Sequence, residues 1–165
     1  MKLPNRIYII GTMGSGKTTI AKKLSENLKI KHYPLDDIYH VVKFTKKRSP
    51  EAREKKLNEL LKKKKWIIEG VHNKWTENIF KVADLVIWLD LHPRFLVWHL
   101  LKRFFKREDD KASLKHIKGS MKYAVGYRKG SKKYVWHKTM INKYKPNSVH
   151  IQTKKQLRKF LKEIE

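Results

Sequence analysis

The chain has 165 residues, and its 41 lysines and arginines against 15 aspartates and glutamates give a formal net charge of +26. This length suits one core, so we expect residues 1–165 to form a single domain. The absence of cysteine excludes disulfides and cysteine-ligated zinc, and we expect a cytoplasmic protein. The apolar stretch 85–101 is interrupted by charges and a proline. It falls short of the roughly 20 apolar residues of a membrane helix, so we expect no membrane partner.

The first predicted strand and helix enclose a glycine-rich loop. The apolar run 7–10 predicts a buried strand, and the helical spacing of Ile20, Ala21 and Leu24 predicts a helix after the loop. The loop GTMGSGKT matches G-x-x-x-x-G-K-[ST], a pattern whose backbone N–H groups surround nucleotide phosphates. We therefore assign cofactor binding to Gly11, Thr12, Met13, Gly14, Ser15, Gly16, Lys17, Thr18 and Thr19.

Two side chains of this loop suit the chemistry of a nucleoside triphosphate. The Lys17 ammonium would neutralise the β- and γ-phosphates, and the Thr18 hydroxyl would bind Mg²⁺, which prefers hard oxygen ligands. Thr19 is expected to point into the first helical turn. The sequence thus predicts ATP and Mg²⁺ as cofactors and Lys17 as a catalytic residue.

A short second strand is predicted to end near Leu35, and two carboxylates follow it. Asp36 is a candidate catalytic and substrate-binding residue, because a carboxylate there could orient or deprotonate an acceptor hydroxyl. The alternative is that Asp36 caps a helix or bonds the end of the strand.

The next helix is predicted to have Ser49 as its N-cap and Pro50 at its first position, and to end within the lysine run 62–65. Arg48 and Arg53 flank its beginning. Either guanidinium could bind a phosphate or carboxylate of an acceptor, and we assign Arg53 to substrate binding. The alternative for both is ordinary surface charge.

Two near-continuous apolar runs, 66–70 and 83–90, predict strands that are covered on both faces. Glu69, near the end of the first run, is a candidate substrate and metal residue that would hold the magnesium shell through water. The alternative is a hydrogen-bonded strand end. Trp75 in the following loop could stack on a base as part of the substrate site, although core packing is the more frequent fate of tryptophan.

The segment 91–147 is predicted to be helical, basic and lid-like. One helix should begin at Pro93, and Arg103 and Arg107 lie four positions apart on its face. With Arg94 they are candidates for closing over phosphates, and we assign Arg103 and Arg107 as catalytic residues because guanidinium suits phosphate oxygens. The alternative is a solvated basic helix face.

A last strand at 148–152 and a helix opened by a capping box of Thr153 and Gln156 complete an alternation of strands and helices. Such alternation predicts a five-stranded parallel sheet with helices on both faces, the α/β fold of P-loop NTPases. Ligands of such sheets bind beyond the carboxyl ends of the strands. We therefore expect the phosphate loop, Asp36 and Glu69 to lie at one edge.

The chain resembles the adenylate-kinase-related P-loop proteins of the DNA topology modulation (FlaR-type) family. Four segments carry the resemblance in order: the phosphate loop, LDDIYHV, WIIEGVHNKW and ADLVIWLDLHPRFLVWHLLKR. It covers nearly the whole chain and implies an ATP-binding fold like that of nucleoside monophosphate kinases. The chain departs from the family pattern at Glu69, where aspartate is common, and at His40.

Two main functions remain open at this point, besides an ATPase without a separate acceptor, against which the carboxylate pair of Asp36 and Asp37 argues. The first is a kinase that transfers the γ-phosphoryl group of a nucleoside triphosphate to a small-molecule or nucleotide acceptor. The second is a nucleotide-regulated protein that binds DNA or RNA non-specifically through residues 111–147, which contain ten lysines and Arg128 but no acid. Aromatic residues of this tract could stack on bases: Tyr123, Tyr127, Tyr134, Trp136 and Tyr144.

Overall fold

The computed structural model describes the backbone of residues 4–42, 45–72, 74–105 and 114–163, and their side chains except those of 102–105 and 114–118. The strands are β1 Arg6–Gly11, β2 His32–Pro34, β3 His40–Val42, β4 Lys46–Lys47, β5 Trp66–Gly70, β6 Leu85–Leu89 and β7 Ser148–Ile151. The helices are α1 Lys17–Leu28, α2 Leu35–Tyr39, α3 Pro50–Leu61, α4 Glu77–Val82, α5 Pro93–Phe105, α6 Leu114–Gly126, α7 Lys132–Tyr144 and α8 Lys154–Lys162. None of these helices combines the length and apolar character needed to cross a membrane.

Five strands form one parallel sheet in the order β2-β5-β1-β6-β7. The central strand β1 places Ile9 between Glu69 of β5 and Ile87 of β6. Because all five strands run in one direction, their carboxyl ends meet at the same edge of the sheet. The predicted five-stranded parallel sheet is confirmed.

Helices cover both faces of this sheet, because successive residues of a strand point to opposite sides. Ile7 and Ile9 of β1 pack in a core cluster with residues of α1, whereas Tyr8 and Ile10 pack in a second cluster with Phe80 of α4. All four β1 side chains are buried. Full burial of each isoleucine contributes about 1.5–3 kcal/mol, which explains why a continuous apolar run forms the central strand.

Two predicted helix starts are confirmed by their capping bonds. The Ser49 hydroxyl accepts a hydrogen bond from the Ala52 N–H at 3.2 Å, and α3 ends at Leu61, directly before the lysine run. Thr153 and Gln156 form the predicted capping box at the start of α8. Each cap satisfies backbone N–H groups that have no partner within the helix.

Four short elements, α2, β3, β4 and α4, were not apparent from the sequence, because none is long enough to show a hydrophobic period. β3 and β4 form an antiparallel hairpin. The Arg48 guanidinium donates to the carbonyls of Ile38 and His40, at 3.1 Å in both cases. Arg48 therefore ties the hairpin to α2, a structural role that its interpretation as an acceptor ligand or plain surface charge did not include.

Candidate active site

The glycine-rich loop turns directly from β1 into α1. Gly14 and Gly16 have left-handed backbone conformations, with φ of 75° and 88°, and no side chain caps the start of α1. An uncapped helix N-terminus behind a glycine-rich turn is a backbone arrangement that binds phosphate. A Cβ added at Gly16 would meet nothing within 4 Å, so the loop is open on this side.

The opposite side of the loop is tightly packed. A Cβ at Gly11 would lie 2.4 Å from the Leu89 carbonyl oxygen, and one at Gly14 would lie 2.8 Å from that of Leu96. The His99 ring also contacts the Gly14 carbonyl, with Nδ1 at 3.0 Å. Two of the glycines thus allow close packing against β6 and α5, which holds the loop in one shape.

Hydrogen bonds within the loop converge on one carbonyl. The Lys17 ammonium and the Ser15 hydroxyl both donate to the Thr12 carbonyl oxygen at 2.8 Å. Thr12 and Ser15 are buried, whereas Met13 is exposed. The side chain of Lys17 is therefore held over the loop before any phosphate binds.

Thr18 and Glu69 come together as the sequence suggested. The Thr18 hydroxyl donates to Glu69 Oε1 at 2.8 Å, and the Glu69 side chain is almost completely buried. Thr19, one residue further, is exposed. Among the described residues no group of three or more acidic, histidine or cysteine side chains could hold a metal ion. Mg²⁺ would fit here with Thr18 and Glu69 only if phosphate oxygens and water completed its shell, which is the mode that Mg²⁺ favours.

Asp36 lies in the first turn of α2 and bonds a histidine that sequence reasoning missed. His72 Nε2 lies 3.0 Å from Asp36 Oδ1. This bond lowers the pKa of Asp36 and outweighs the opposing effect of burial, with further lowering by the charges of His72, Lys17 and His40. Asp36 is therefore an ionised carboxylate near Lys17. His72 follows β5 by two residues, so the sequence already indicated that it lies at the carboxyl edge of the sheet.

Arg53 and Trp75 also come together, in an aromatic cluster. The Arg53 guanidinium carbon lies 5.0 Å from the ring centre of Tyr39 and 4.9 Å from that of Trp75. Tyr39 stacks on His72 with ring centres 4.8 Å apart. Trp75 is half-buried and packs against the core, which was the alternative to stacking on a base; the stacking role stays a prediction. Tyr39, three residues after Asp36 in α2, belongs to the LDDIYHV segment that carries the family resemblance.

α7 contains one buried polar residue, His137, that the sequence analysis did not single out. His137 is completely buried, with Nδ1 2.5 Å from the Tyr127 hydroxyl, which accepts from Trp88 Nε1 at 3.2 Å. Burial lowers the pKa of His137 to about 3, with contributions from the positive charges of Lys17 and Lys133, so its ring is neutral. In a neutral ring Nδ1 can accept a hydrogen bond from the Tyr127 hydroxyl.

The arginines of the proposed lid are only partly described. Arg94 is exposed, and its guanidinium carbon lies 5.0 Å from the ring centre of Phe95. Arg103 belongs to α5, but its side chain and the whole of Arg107 lie outside the described residues. Arg128 belongs to the basic tract 111–147. Its Nε lies 3.1 Å from the buried carboxylate of Asp90, which follows β6.

Several solved kinase structures share this architecture. They include a shikimate kinase from Acinetobacter baumannii in complex with shikimate, with a TM-score of 0.59 and 18% identity, covering 99% of this chain and 91% of that one. A shikimate kinase from Bacteroides thetaiotaomicron has a TM-score of 0.60 and 17% identity, covering 98% of this chain and 97% of that one. A gluconokinase from Sinorhizobium meliloti 1021 has a TM-score of 0.54 and 11% identity, with 99% and 91% covered. At these identities the likeness shows the fold alone.

Similarity at the sequence level extends over part of the chain. YqaC of Bacillus subtilis (strain 168) is 34% identical over 106 residues, which are 64% of this chain and 60% of YqaC. A putative adenylate kinase of Thermococcus gammatolerans (strain DSM 15229 / JCM 11827 / EJ3) is 32% identical over 109 residues, which are 62% of this chain and 58% of that protein. The chain thus spans about three fifths of the length of these relatives.

The family match covers the candidate site. Residues 7–119 match the AAA_18 family of AAA domains, and this range contains the phosphate loop, Asp36 and Glu69. The match extends over more than half of the chain. The protein therefore belongs to the AAA_18 family of AAA domains.

Proposed function

We propose that the protein is an ATP-dependent phosphotransferase that acts on a small-molecule or nucleotide acceptor. One observation carries the proposal: the phosphate loop follows β1 and Asp36 follows β2, so both lie at the carboxyl edge of the same parallel sheet, where Asp36 bonds His72 after β5. A phosphoryl donor bound on the loop and an acceptor hydroxyl bound at Asp36 would therefore be neighbours. Bringing donor and acceptor together is the main requirement of phosphoryl transfer.

The loop would bind the triphosphate through backbone N–H groups and the Lys17 ammonium. Thr18, directly, and Glu69, through water, would hold Mg²⁺, which supplies charge neutralisation to the β- and γ-phosphates when bound. Glu69 is suited to this because its carboxylate already accepts the Thr18 hydroxyl. The residues present thus fit a magnesium–nucleotide complex.

The transfer itself forms one bond and breaks one. The acceptor oxygen bonds to the γ-phosphorus while the bond from that phosphorus to the β–γ bridging oxygen breaks, so that ADP leaves. The acceptor proton passes to Asp36 and from there to water. Because the low pKa of Asp36 makes it a weak base, its main contribution is to orient the hydroxyl by accepting its hydrogen bond.

We assign the remaining roles by position. Arg53 and Trp75 would bind the acceptor, and Arg94, Arg103 and Arg107 would close over the phosphates as a lid within 91–147. The comparisons support this class of function, since the relatives include a putative adenylate kinase and the similar structures include shikimate kinase and gluconokinase. Membership in the DNA topology modulation family remains a hypothesis, based on the resemblance of the sequence motifs.

The nucleic-acid alternative has less support in the described residues. Tyr127 is buried, while Tyr134, Trp136 and Tyr144 pack against the second core cluster, so these rings serve the fold. The exposed lysines of α6 and α7 would have to carry that function by charge. A steep loss of DNA binding with rising salt, together with absence of acceptor phosphorylation, would favour the alternative.

The proposal is tested by direct detection of a phosphorylated product. The protein is incubated with ATP, Mg²⁺ and a panel of nucleoside monophosphates, sugars and hydroxy acids, and products are identified by ³¹P NMR and mass spectrometry. We expect one ADP per phosphorylated acceptor. Asp36→Asn should lower kcat while ATP binding is unchanged, and Asp37→Asn, at the exposed neighbouring position, is the matched control. ADP formation without a phosphorylated product would show an ATPase instead.

A further inference from the structure

We propose that the cavity between α7 and the edge strand β7 binds a small aromatic anion, a flat ring system that carries a carboxylate or a phosphate. The ring stacks on the outer face of His150, and the acid group contacts the Lys138 ammonium. This site is separate from the candidate active site, and the inference does not depend on the proposed function.

The cavity lies at the far end of the sheet from the acceptor side. Its walls come from β6, α7 and β7, and its volume is about 330 Å³. β7 is the last strand in the order β2-β5-β1-β6-β7, whereas Asp36 follows β2 at the opposite end. Four strand spacings of about 4.8 Å separate these two strands. The described residues that line the cavity include none of the phosphate loop and none of the acceptor side.

A stacked pair of rings forms one wall of the cavity. Trp88 of β6 and His150 of β7 are paired across the two strands, with ring centres 4.2 Å apart and planes inclined by only 12°. Trp88 is buried, and Tyr134 packs against it with ring centres 5.1 Å apart. His150 keeps 37% of its side chain exposed. Because β7 is the edge of the sheet, the stack ends at His150, and no further ring of the described residues continues it.

The His150 ring is held in place from inside the protein. Its Nε2 lies 3.0 Å from Asp90 Oδ2, and the Asp90 side chain is completely buried. Arg128 Nε lies 3.1 Å from the other oxygen of that carboxylate. A ring that is already fixed loses little side-chain freedom when a second ring stacks on it. His150 is therefore a preformed platform for one more flat ring.

The polar groups around this platform favour an anion. α7 presents Tyr134, Lys138 and Ile141 to the cavity, since residues three and four positions apart share one face of a helix. Lys138 supplies a positive charge, Asn142 an amide donor and Ser148 a hydroxyl donor. Among the described residues no carboxylate lines the cavity. A carboxylate or phosphate on the ligand would accept charge-assisted hydrogen bonds from these donors.

The size of the cavity restricts the ligand to a small one. Its volume of about 330 Å³ is at the lower end of the range of about 300–1,000 Å³ that small-molecule sites occupy. Stacking on His150 favours an aromatic ring over a saturated one, because offset-stacked rings gain attraction beyond the area that they bury. The ligand class is therefore an acid with one or two fused aromatic rings.

The first test measures the binding of three matched probes by calorimetry, with the phosphate loop filled by a non-hydrolysable ATP analogue and Mg²⁺. Naphthoate is compared with naphthamide, which lacks the charge, and with decahydronaphthoate, which lacks the flat rings. We expect one saturable site for naphthoate. The affinity should be at least about tenfold lower for the amide and about three- to tenfold lower for the saturated acid. Equal affinity for the three probes, or no binding of naphthoate, would overturn the proposal.

The second test locates the bound probe with variants. Lys138→Met should weaken naphthoate binding about tenfold, whereas Lys132→Met, which removes the same charge from an exposed position of α7, should not. His150→Gln keeps an N–H that can donate to Asp90 but removes the ring, so it should weaken binding about three- to tenfold. Arg53→Met should bind naphthoate as wild type does. A loss in Arg53→Met but not in Lys138→Met would place the probe on the acceptor side and contradict the inference.

The third measurement reports from inside the cavity. The ring protons of His150, assigned by their loss in His150→Gln, should move upfield in the NMR spectrum when naphthoate saturates the protein, because a stacked aromatic ring shields them. Decahydronaphthoate should cause no such shift. Naphthoate binding without this shift would show that the ring lies elsewhere, and the proposal would then be wrong. None of these measurements uses a phosphoryl acceptor, so failure of the kinase assignment would leave their outcome unchanged.

Discussion

The two halves of the candidate site are built in different ways. The phosphate loop consists of eight consecutive residues, 11–18, whose groups bond one another and whose shape is set by the backbone. The acceptor side joins Asp36 of α2, Arg53 of α3 and His72 after β5. The loop therefore follows from local sequence, whereas the acceptor side exists only when the sheet and its helices are assembled.

This difference has consequences for substitution. A change in the loop removes a group that every phosphoryl transfer needs, so its effect should be large and independent of the acceptor. A change on the acceptor side removes one of several contacts, so its effect should be smaller and confined to the acceptor. Three experiments on the site test this division, and a fourth concerns the stability of the fold.

The largest effect is expected in the loop. Lys17→Met removes the cation held over the loop, and we expect kcat to fall about 10²–10³-fold, the range seen when one pre-placed donor to transition-state charge is lost. ADP release with a saturating acceptor measures this. Lys22→Met, at an exposed position of α1, is the control and should be near wild type. Retained turnover in Lys17→Met would remove the loop from the mechanism.

The next effect concerns the contact that joins the loop to β5. Glu69→Gln removes the charge that faces the Thr18 hydroxyl, and we expect the apparent Mg²⁺ affinity to fall about 10–100-fold. A Mg²⁺ titration of nucleotide binding measures it. Glu59→Gln, exposed on α3, is the matched control. If Mg²⁺ affinity does not change, Glu69 serves only the structure of the strand end.

A smaller and acceptor-specific effect is expected in the aromatic cluster. Arg53→Met keeps the length of the side chain but removes the charge between Tyr39 and Trp75, a contact worth about 0.5–2 kcal/mol. We expect the acceptor KM to rise about tenfold and the ATP KM to stay constant. Arg158→Met, exposed on α8, controls for charge. An equal rise in both KM values would contradict the separation of the two halves.

The smallest effect concerns stability and pH. Because burial lowers the pKa of His137 to about 3, the folded protein keeps this ring neutral, while the unfolded chain protonates it below its ordinary value of 6.5. The stabilisation is therefore complete above pH 6.5 and is lost as the pH falls toward 3, with a slope of at most about 1.4 kcal/mol per pH unit.

Chemical denaturation between pH 4 and 7 measures this slope. His137→Gln should flatten it, and His92→Gln, at an exposed position, should not. The same slope in His137→Gln and wild type would mean that His137 becomes protonated in the folded state.

The sequence by itself determined the phosphate loop, the buried strands and the capped helices. The loop pattern names residues that bond one another within six positions, as Lys17 does with Thr12. The continuous apolar runs at 7–10 and 66–70 report burial on both faces, which is a property of each strand alone. Ser49 and Thr153 cap helices through bonds that span three residues.

Only the tertiary structure decided which side chains meet on the acceptor side. His72 reaches Asp36 across 36 positions because β5 lies beside β2 in the sheet. The hydrophobic pattern of a strand does not specify which strand lies next to it. Arg53 meets Trp75 because α3 packs over the loop after β5. Hydrophobic periodicity reports which face of an element is buried, but the partner of that face is chosen by packing of the whole chain.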